Sequence, residues 1–308
     1  CPPSRQRLST RSQLAAAGVT RRGLQDAVAR GELLRVRRGV YAPAPLPPRA
    51  CHLLSGGIDP GYVAEVRAVL LELGPDAVAA ERTAAVLWGF DLAVEPTDVE
   101  LAVPLGGPRS RAGVVTTQHA HLEVCEHRVL GLDPLPLTSP TQTVLHCALS
   151  LPLQEAVVVA DSALRSRRVT KRQLVQAAAA LRGTPGARRV RRVLALSDPR
   201  SGSVLESLLR VLLVQAGIPR PESQYLIRDG SFLARVDFCW PQLRLVVECD
   251  GRRWHDPEDA RSRDRRRDNA LERLSWRVLR FTWADVLHQE QYVLHHVREC
   301  LRGWMAAA

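Results

Sequence analysis

Apolar positions near the start of the chain recur at helical spacing. Leu14 to Ala17 form a short apolar helix, Gly18 turns the chain, and Thr20 opens a second helix with Leu24, Ala27 and Val28 on one face. From Leu33 the pattern switches to alternation through Leu34-Arg35-Val36-Arg37-Arg38-Gly39-Val40-Tyr41, which predicts a hairpin and so a helix-turn-helix with a wing. Pro43 to Pro48 then reads as an extended linker. Helical spacing returns over Tyr62 to Gly74 and Ala79 to Trp88, followed by strand-like runs at Val99 to Val103, Val114 to Thr117 and His127 to Leu130. Thr138-Ser139-Pro140 stops the strands and caps a helix over Thr141 to Leu149, and Leu153 to Leu164 and Lys171 to Leu181 continue as helices. Ser197 to Gly202, with Asp198-Pro199 and a glycine, marks a boundary.

Beyond that boundary the pattern tightens. Ser203 stands as an N-cap with Glu206 three residues on, a capping box ahead of a helix whose apolar face is Leu205, Leu208, Leu209 and Leu212. Capping alone accounts for Glu206 at this level. Gly217-Ile218-Pro219 ends the helix, and strands follow over Gln224 to Ile227, Leu233 to Trp240 and Leu243 to Cys249. The second carries Asp237 between apolar neighbours, and the third runs through Leu245-Val246-Val247 into Glu248 and Asp250. After Asp256 comes a charged helix packed by Ala270, Leu271 and Leu274, then a strand over Arg277 to Phe281 and a closing helix over Tyr292 to Leu301.

A chain of 308 residues patterned this way exceeds one ordinary core. The fold class expected is α/β, or more fully α+β multi-domain. Residues 1–48 are an N-terminal winged helix and linker, 49–198 a mixed α/β and helical middle domain, and 199–308 a C-terminal α/β core.

Charge changes the picture most. The net charge is +11 and nearly all the basic residues are arginine, Lys171 being the one lysine. A coding bias explains arginine over lysine, but the positive sign attracts polyanions, so nucleic acid is the first partner to test. Arg21 and Arg22 on the second helix, Arg35, Arg37 and Arg38 on the wing, and Arg188 and Arg189 are the candidate phosphate contacts. The last two lie in a run from Arg165 to Arg192 with ten basic residues and no acidic one. Such a run suits either a phosphate track or a solvated helix face.

Seven cysteines, at 1, 51, 125, 147, 239, 249 and 300, form no C-x-x-C pair and suggest neither a zinc site nor a disulfide framework. Free thiols in apolar runs fit a reducing cytoplasm. No apolar stretch approaches the roughly 20 residues of a membrane span, so no membrane partner is expected. The Cys1 start has no signal-peptide core behind it, and the one methionine, Met305, points to a missing N-terminus.

Residues 248 and 250, two apart on a strand, project to the same side. Two carboxylates facing one spot are costly without a cation, and oxygen ligands of this kind suit Mg²⁺ or Mn²⁺. Pairing with arginine is the alternative that an isolated E-x-D leaves open. The order helix-Glu206, strand-Asp237, and eleven residues later Glu248-x-Asp250 is more specific.

With Ser203-Val-Leu-Glu206, Arg235-Val-Asp237-Phe, Val247-Glu248-Cys-Asp250-Gly251, His255, Asp264-x-x-Arg267, Leu271 and Trp276-Arg-Val-Leu-Arg280-Phe281, residues 203–303 resemble the PD-(D/E)XK nuclease superfamily. Within it they are similar to the branch of very-short-patch-repair-like endonucleases. The resemblance implies a restriction-endonuclease-like core in which Asp237, Glu248 and the Cys249 carbonyl hold Mg²⁺ or Mn²⁺. Glu206 positions the attacking water, and His255 is a candidate general acid or base.

Asp250 stands where many members carry lysine, which leaves Arg253 and Arg267 as the nearest cations. Arginine stays protonated and is no base. Ser275 replaces the glycine usual before Trp276. Gln13 to Ala42 resembles the winged-helix domain of AbiEi-type antitoxins, while Thr83-Ala-Ala-Val-Leu-Trp88-Gly89 and Leu137-Thr-Ser-Pro140 resemble the segments that accompany it. That likeness implies promoter DNA and a cognate toxin as partners. Two functions follow: a metal-dependent DNA endonuclease, or an antitoxin-like regulator whose nuclease fold grips phosphate without cutting.

Overall fold

The computed structural model describes residues 8–44, 58–119, 121–130, 133–230, 232–250 and 267–305. The fold is mixed α/β, of the α+β multi-domain class, and the chain divides into two compact units. One comprises Cys1–Leu151 and Arg168–Arg191, the other Pro152–Arg167 and Arg192–Ala308.

The first unit begins with β1 (Ser9–Thr10), α1 (Arg11–Ala16), α2 (Arg21–Ala29) and the hairpin β2 (Leu33–Arg37) and β3 (Val40–Pro43). Thr20 caps α2 through its hydroxyl, as expected, and Thr10 caps α1, which begins earlier than the apolar pattern indicated. The strands run in the order β1-β3-β2, and a register shift between Arg35 and Arg37 interrupts the hairpin. Leu24, Val40 and Ala42 are its buried apolar anchors.

Next come α3 (Pro60–Leu73), β4 (Val78–Ala79), α4 (Glu81–Trp88), β5 (Val99–Pro104), β6 (Val114–His119), β7 (Val124–His127), β8 (Leu135–Thr138) and α5 (Pro140–Ser150). The sheet order is β6-β5-β4-β8-β7, with β5/β6 and β4/β8 parallel. The strand expected over His127 to Leu130 lies three residues earlier, because its partner is β8, with Val124 opposite Thr138. Leu130, at φ +52°, has left the extended region. Thr138-Ser139-Pro140 both ends a strand and caps a helix: Ser139 Oγ accepts from the Gln142 N–H at 3.1 Å.

The chain then passes through α6 (Leu153–Arg165), a member of the second unit, and returns with α7 (Lys171–Ala179), which packs on α5. Helix α8 (Ala187–Leu196) forms from the basic run, with Ala187, Val190, Val193 and Leu194 buried and Arg188, Arg191 and Arg192 exposed.

The second unit packs α6 against α9 (Val204–Gln215). Arg210 and Asp161, both fully buried, form an ion pair. The Asp161 carboxylate also accepts from Ser207 Oγ and the Asp198 N–H, each at 2.7 Å, and Arg210 donates to the Leu196 carbonyl. Burial pushes the Asp161 carboxyl up, against the pull of Arg210. The boundary expected between residues 198 and 199 thus falls inside a bonded loop, where Asp198 also accepts from the Arg200 N–H and Ser223 Oγ.

Beyond α9 lie β9 (Glu222–Asp229), β10 (Phe232–Trp240), β11 (Leu245–Asp250), helical residues 267–273 (α10), β12 (Arg277–Thr282), α11 (Trp283–His288) and α12 (Glu290–Met305). The sheet order is β12-β11-β10-β9; β11 and β12 are parallel and the other pairs antiparallel. The third strand starts later than expected because a 3-10 turn, Pro241–Leu243, and Arg244 at φ +49° precede it. Ser275 sits at φ +59°, a conformation that favours the glycine it replaces. Helix α11 is an element that the apolar pattern did not reveal. Residues 256–266 of the expected charged helix lie outside the described residues. Cys125, Cys147, Cys239, Cys249 and Cys300 are free thiols, and no described helix is long and apolar enough to cross a membrane.

Candidate active site

Three elements of the second unit bring acids together. Ser203 begins α9 by accepting the Glu206 N–H on its hydroxyl at 3.2 Å. The reciprocal half of the capping box differs from expectation: Glu206 Oε2 takes the Gly202 N–H at 2.7 Å, and Ser203 Oγ donates to Oε1 at 3.0 Å. The buried carboxylate is thereby fixed at the helix N-terminus, where partial positive charge favours it.

Asp237 stands on β10 between the fully buried Val236 and Phe238. Its Oδ2 accepts the Cys249 N–H of β11 at 2.9 Å. The register Phe238↔Val247, continued by one step, sets Asp237 across from Glu248. Glu248 is pushed up to about 7, first by burial and next by the Asp237 charge, with Arg267 opposing both. Glu206 is raised as well, by burial and then Asp237. The Cys249 thiol, raised chiefly by burial, also registers the charge of all three acids.

Arg267, the first described residue of α10, pairs with Glu248 and donates to the Arg235 carbonyl at 2.9 Å. Asp250, at the end of β11, lies two residues beyond Glu248 and opposite Thr282 of β12. Arg253 and His255 lie outside the described residues.

Gln224 was not among the expected site residues. Its side-chain amide donates to Glu206 Oε2 at 3.0 Å and to Asp237 Oδ1 at 3.1 Å, joining helix to strand. Its place opposite Asp237, one step from Val236↔Tyr225, is a signal readable once the strands are registered.

The donor set is wholly hard oxygen, which suits Mg²⁺ or Mn²⁺, and two carboxylates are enough for such an ion. Among the described residues, however, no group of three or more His, Cys, Asp or Glu side chains is arranged to hold a metal. Arg267 now supplies the positive charge at Glu248. The Asp237 and Glu248 oxygens suit such an ion in chemistry and number, with Glu248 held by Arg267 in this structure.

The arginines expected to meet phosphate divide. Arg21, Arg22, Arg35, Arg38 and Arg188 are exposed. Arg37 instead pairs with Glu65 at 3.3 Å. Arg189 donates from Nε to the Ala148 carbonyl at 3.0 Å and from a terminal nitrogen to that of Leu151, closing the C-terminal end of α5. Arg37 is thus engaged with an acid, and Arg189, though exposed, with backbone carbonyls.

Residues 228–301 match a restriction-endonuclease-like family model, REase_MTES_1575, and residues 5–44 match the model of the transcriptional regulator, AbiEi antitoxin. Two proteins of Mycobacterium tuberculosis, the uncharacterized proteins MT2308 and Rv2248, are each 32% identical to the chain over 271 residues. The similarity spans 87% of this chain and 92% of each relative. A crystal structure of the RV2827C protein from Mycobacterium tuberculosis aligns with 72% of this chain and 83% of its own, at a TM-score of 0.42 and 15% identity. That likeness is too loose to argue from.

Proposed function

The chain belongs to the family of the mycobacterial proteins Rv2248 and MT2308, and we propose that it is a metal-dependent DNA endonuclease brought to its substrate by its AbiEi-like N-terminal region. The observation that carries this reading is the meeting of Asp237 and Glu248 across two strands, with Glu206 tied to Asp237 through one amide. Acids held together at such cost are a mark of function when a cation relieves them.

In this reading Asp237 and Glu248 hold Mg²⁺ or Mn²⁺, with the Cys249 carbonyl as a further ligand. The bound ion supplies Lewis acidity, lowering the pKa of water and offsetting charge on the phosphoryl group. Glu206, fastened by Gly202, Ser203 and Gln224, orients the attacking water. Glu248 would hold the ion as a carboxylate released from Arg267. Arg267, with Arg253, would meet the phosphate in place of the missing lysine, Asp250 would share the site with Glu248, and His255 would serve as general acid or base.

Arg21, Arg22, Arg35, Arg38 and Arg188 provide phosphate contacts, and Arg191 and Arg192, three and four residues along α8 from Arg188, share its side of that helix. Residues 1–48 act as the DNA-reading domain, 49–198 as the connecting domain and 199–308 as the cutting domain. The work is done in the cytoplasm, and a cognate toxin is the protein partner to seek.

One contact favours a second reading. Arg267 on Glu248 occupies the place of a cation, as an antitoxin-like regulator with an inactive nuclease fold requires. Supercoiled plasmid incubated with Mg²⁺ or Mn²⁺ separates the two. Nicking lost in both Asp237→Ala and Glu248→Ala supports the enzyme. Metal-dependent nicking that ignores both substitutions is a contaminant's, and promoter binding without nicking supports the regulator.

A further inference from the structure

Gln224 joins two acids that repel one another, and its backbone is bent where it does so. Strands β9 and β10 pair at Val236↔Tyr225 and again at Phe238↔Ser223, and Gln224 lies between at φ +54°. A residue with a side chain seldom adopts that conformation inside a strand, and such strain persists where the surroundings impose it, often at functional sites.

The orientation of the amide follows from its neighbours. Both are carboxylates, which accept and do not donate when ionised, so the nitrogen faces them; the reverse orientation would set oxygen against oxygen. One NH₂ group thus provides both hydrogens, one to Glu206 at 3.0 Å and one to Asp237 at 3.1 Å. The Cys249 N–H holds the other oxygen of Asp237. With both oxygens held, Asp237 has a set orientation and keeps lone pairs for a further partner.

We infer that Gln224 is a positioning residue: it fastens the Asp237 carboxylate to Glu206 against their repulsion and so presents Asp237 to a divalent cation. The inference rests on the endonuclease reading and concerns a residue that precedes the matched segment 228–301. Partners that orient a metal-ligating carboxylate typically contribute about 10- to 100-fold to metal affinity.

Gln224→Gly separates the amide from the backbone, because glycine adopts the positive φ at no steric cost. Mn²⁺ binding to the full-length protein, measured by calorimetry, is expected to weaken about 10-fold or more in Gln224→Gly, with a melting temperature no lower than that of the parent. Gln224→Leu, similar in size but without a donor, is expected to weaken binding alike. Parent-like Mn²⁺ affinity in the folded glycine variant overturns the inference. Failure of the parent itself to bind Mn²⁺ sinks the endonuclease reading. A metal-free crystal structure of Gln224→Gly still decides the positioning claim: the Asp237 carboxylate is expected to turn away from Glu206, and an unchanged pair overturns it.

Discussion

Replacing Glu248 by glutamine tests whether the acid cluster works against the fold. Glu248 is raised from an ordinary 4.5 to about 7 by burial and by Asp237. A folded-state pKa above the unfolded one means that the folded protein binds more protons between those values. The stabilisation is full below pH 4.5 and is lost as pH rises through about 7. The shift corresponds to about 3 kcal/mol, in which the attraction of Arg267 is already included. Glutamine keeps the shape and cannot ionise. Glu248→Gln is therefore expected to be more stable than the parent near pH 8, by about 1 to 3 kcal/mol, and close to it near pH 4.5. Urea unfolding of parent and variant at the two pH values, followed by circular dichroism, reads the difference directly. Mn²⁺ should raise the midpoint of the parent near pH 8 and leave that of the variant unmoved. A variant destabilised equally at both pH values would refute the reasoning, since Glu248 would then act as an ordinary ion-pair partner of Arg267.

Arg267→Ala should tighten Mn²⁺ binding about fivefold, the worth of a partly exposed ion pair of about 1 kcal/mol; calorimetry showing weaker binding would make the arginine a helper of the ion. Arg210→Met should cost about 3 to 5 kcal/mol in urea unfolding by leaving the buried Asp161 without its cation, and adding Asp161→Leu should recover most of it. His146, stacked on His119 with ring centroids 4.1 Å apart, is lowered by burial to about 4. Its contribution is present above pH 6.5 and lost as pH falls through about 4, at most about 3 kcal/mol. His146→Phe should flatten that acid limb of the stability curve.

The acids were legible because each breaks a regular pattern. Asp237 interrupts an apolar strand, Glu248 and Asp250 share one side of the next, and Glu206 sits at a fixed distance from a cap. Gln224 was not legible, since its role depends on a backbone turned to positive φ, which nothing in Gln-Tyr-Leu-Ile announces. The basic run was less legible for a different reason: neighbouring arginines look alike in sequence, but on α8 Arg189, exposed like Arg188, also donates to a backbone carbonyl at the end of α5. Strand β7 was displaced because its register is set by β8, and a pairing partner is tertiary information. Helix α11, only six residues long, is too short to display a period.

The pairing of Asp161 with Arg210 bears on how the protein is made. A ribosome releases α6 well before α9, so for that interval a carboxylate destined for a dry interior has no guanidinium to meet. Asp161 of α6 meets its partner only after 49 further residues are added. Expression of 192–308 alone would reproduce that unfinished stage permanently, with the charges reversed: Arg210 would be the one left waiting. Supplying residues 152–167 as a separate peptide should then restore the fragment.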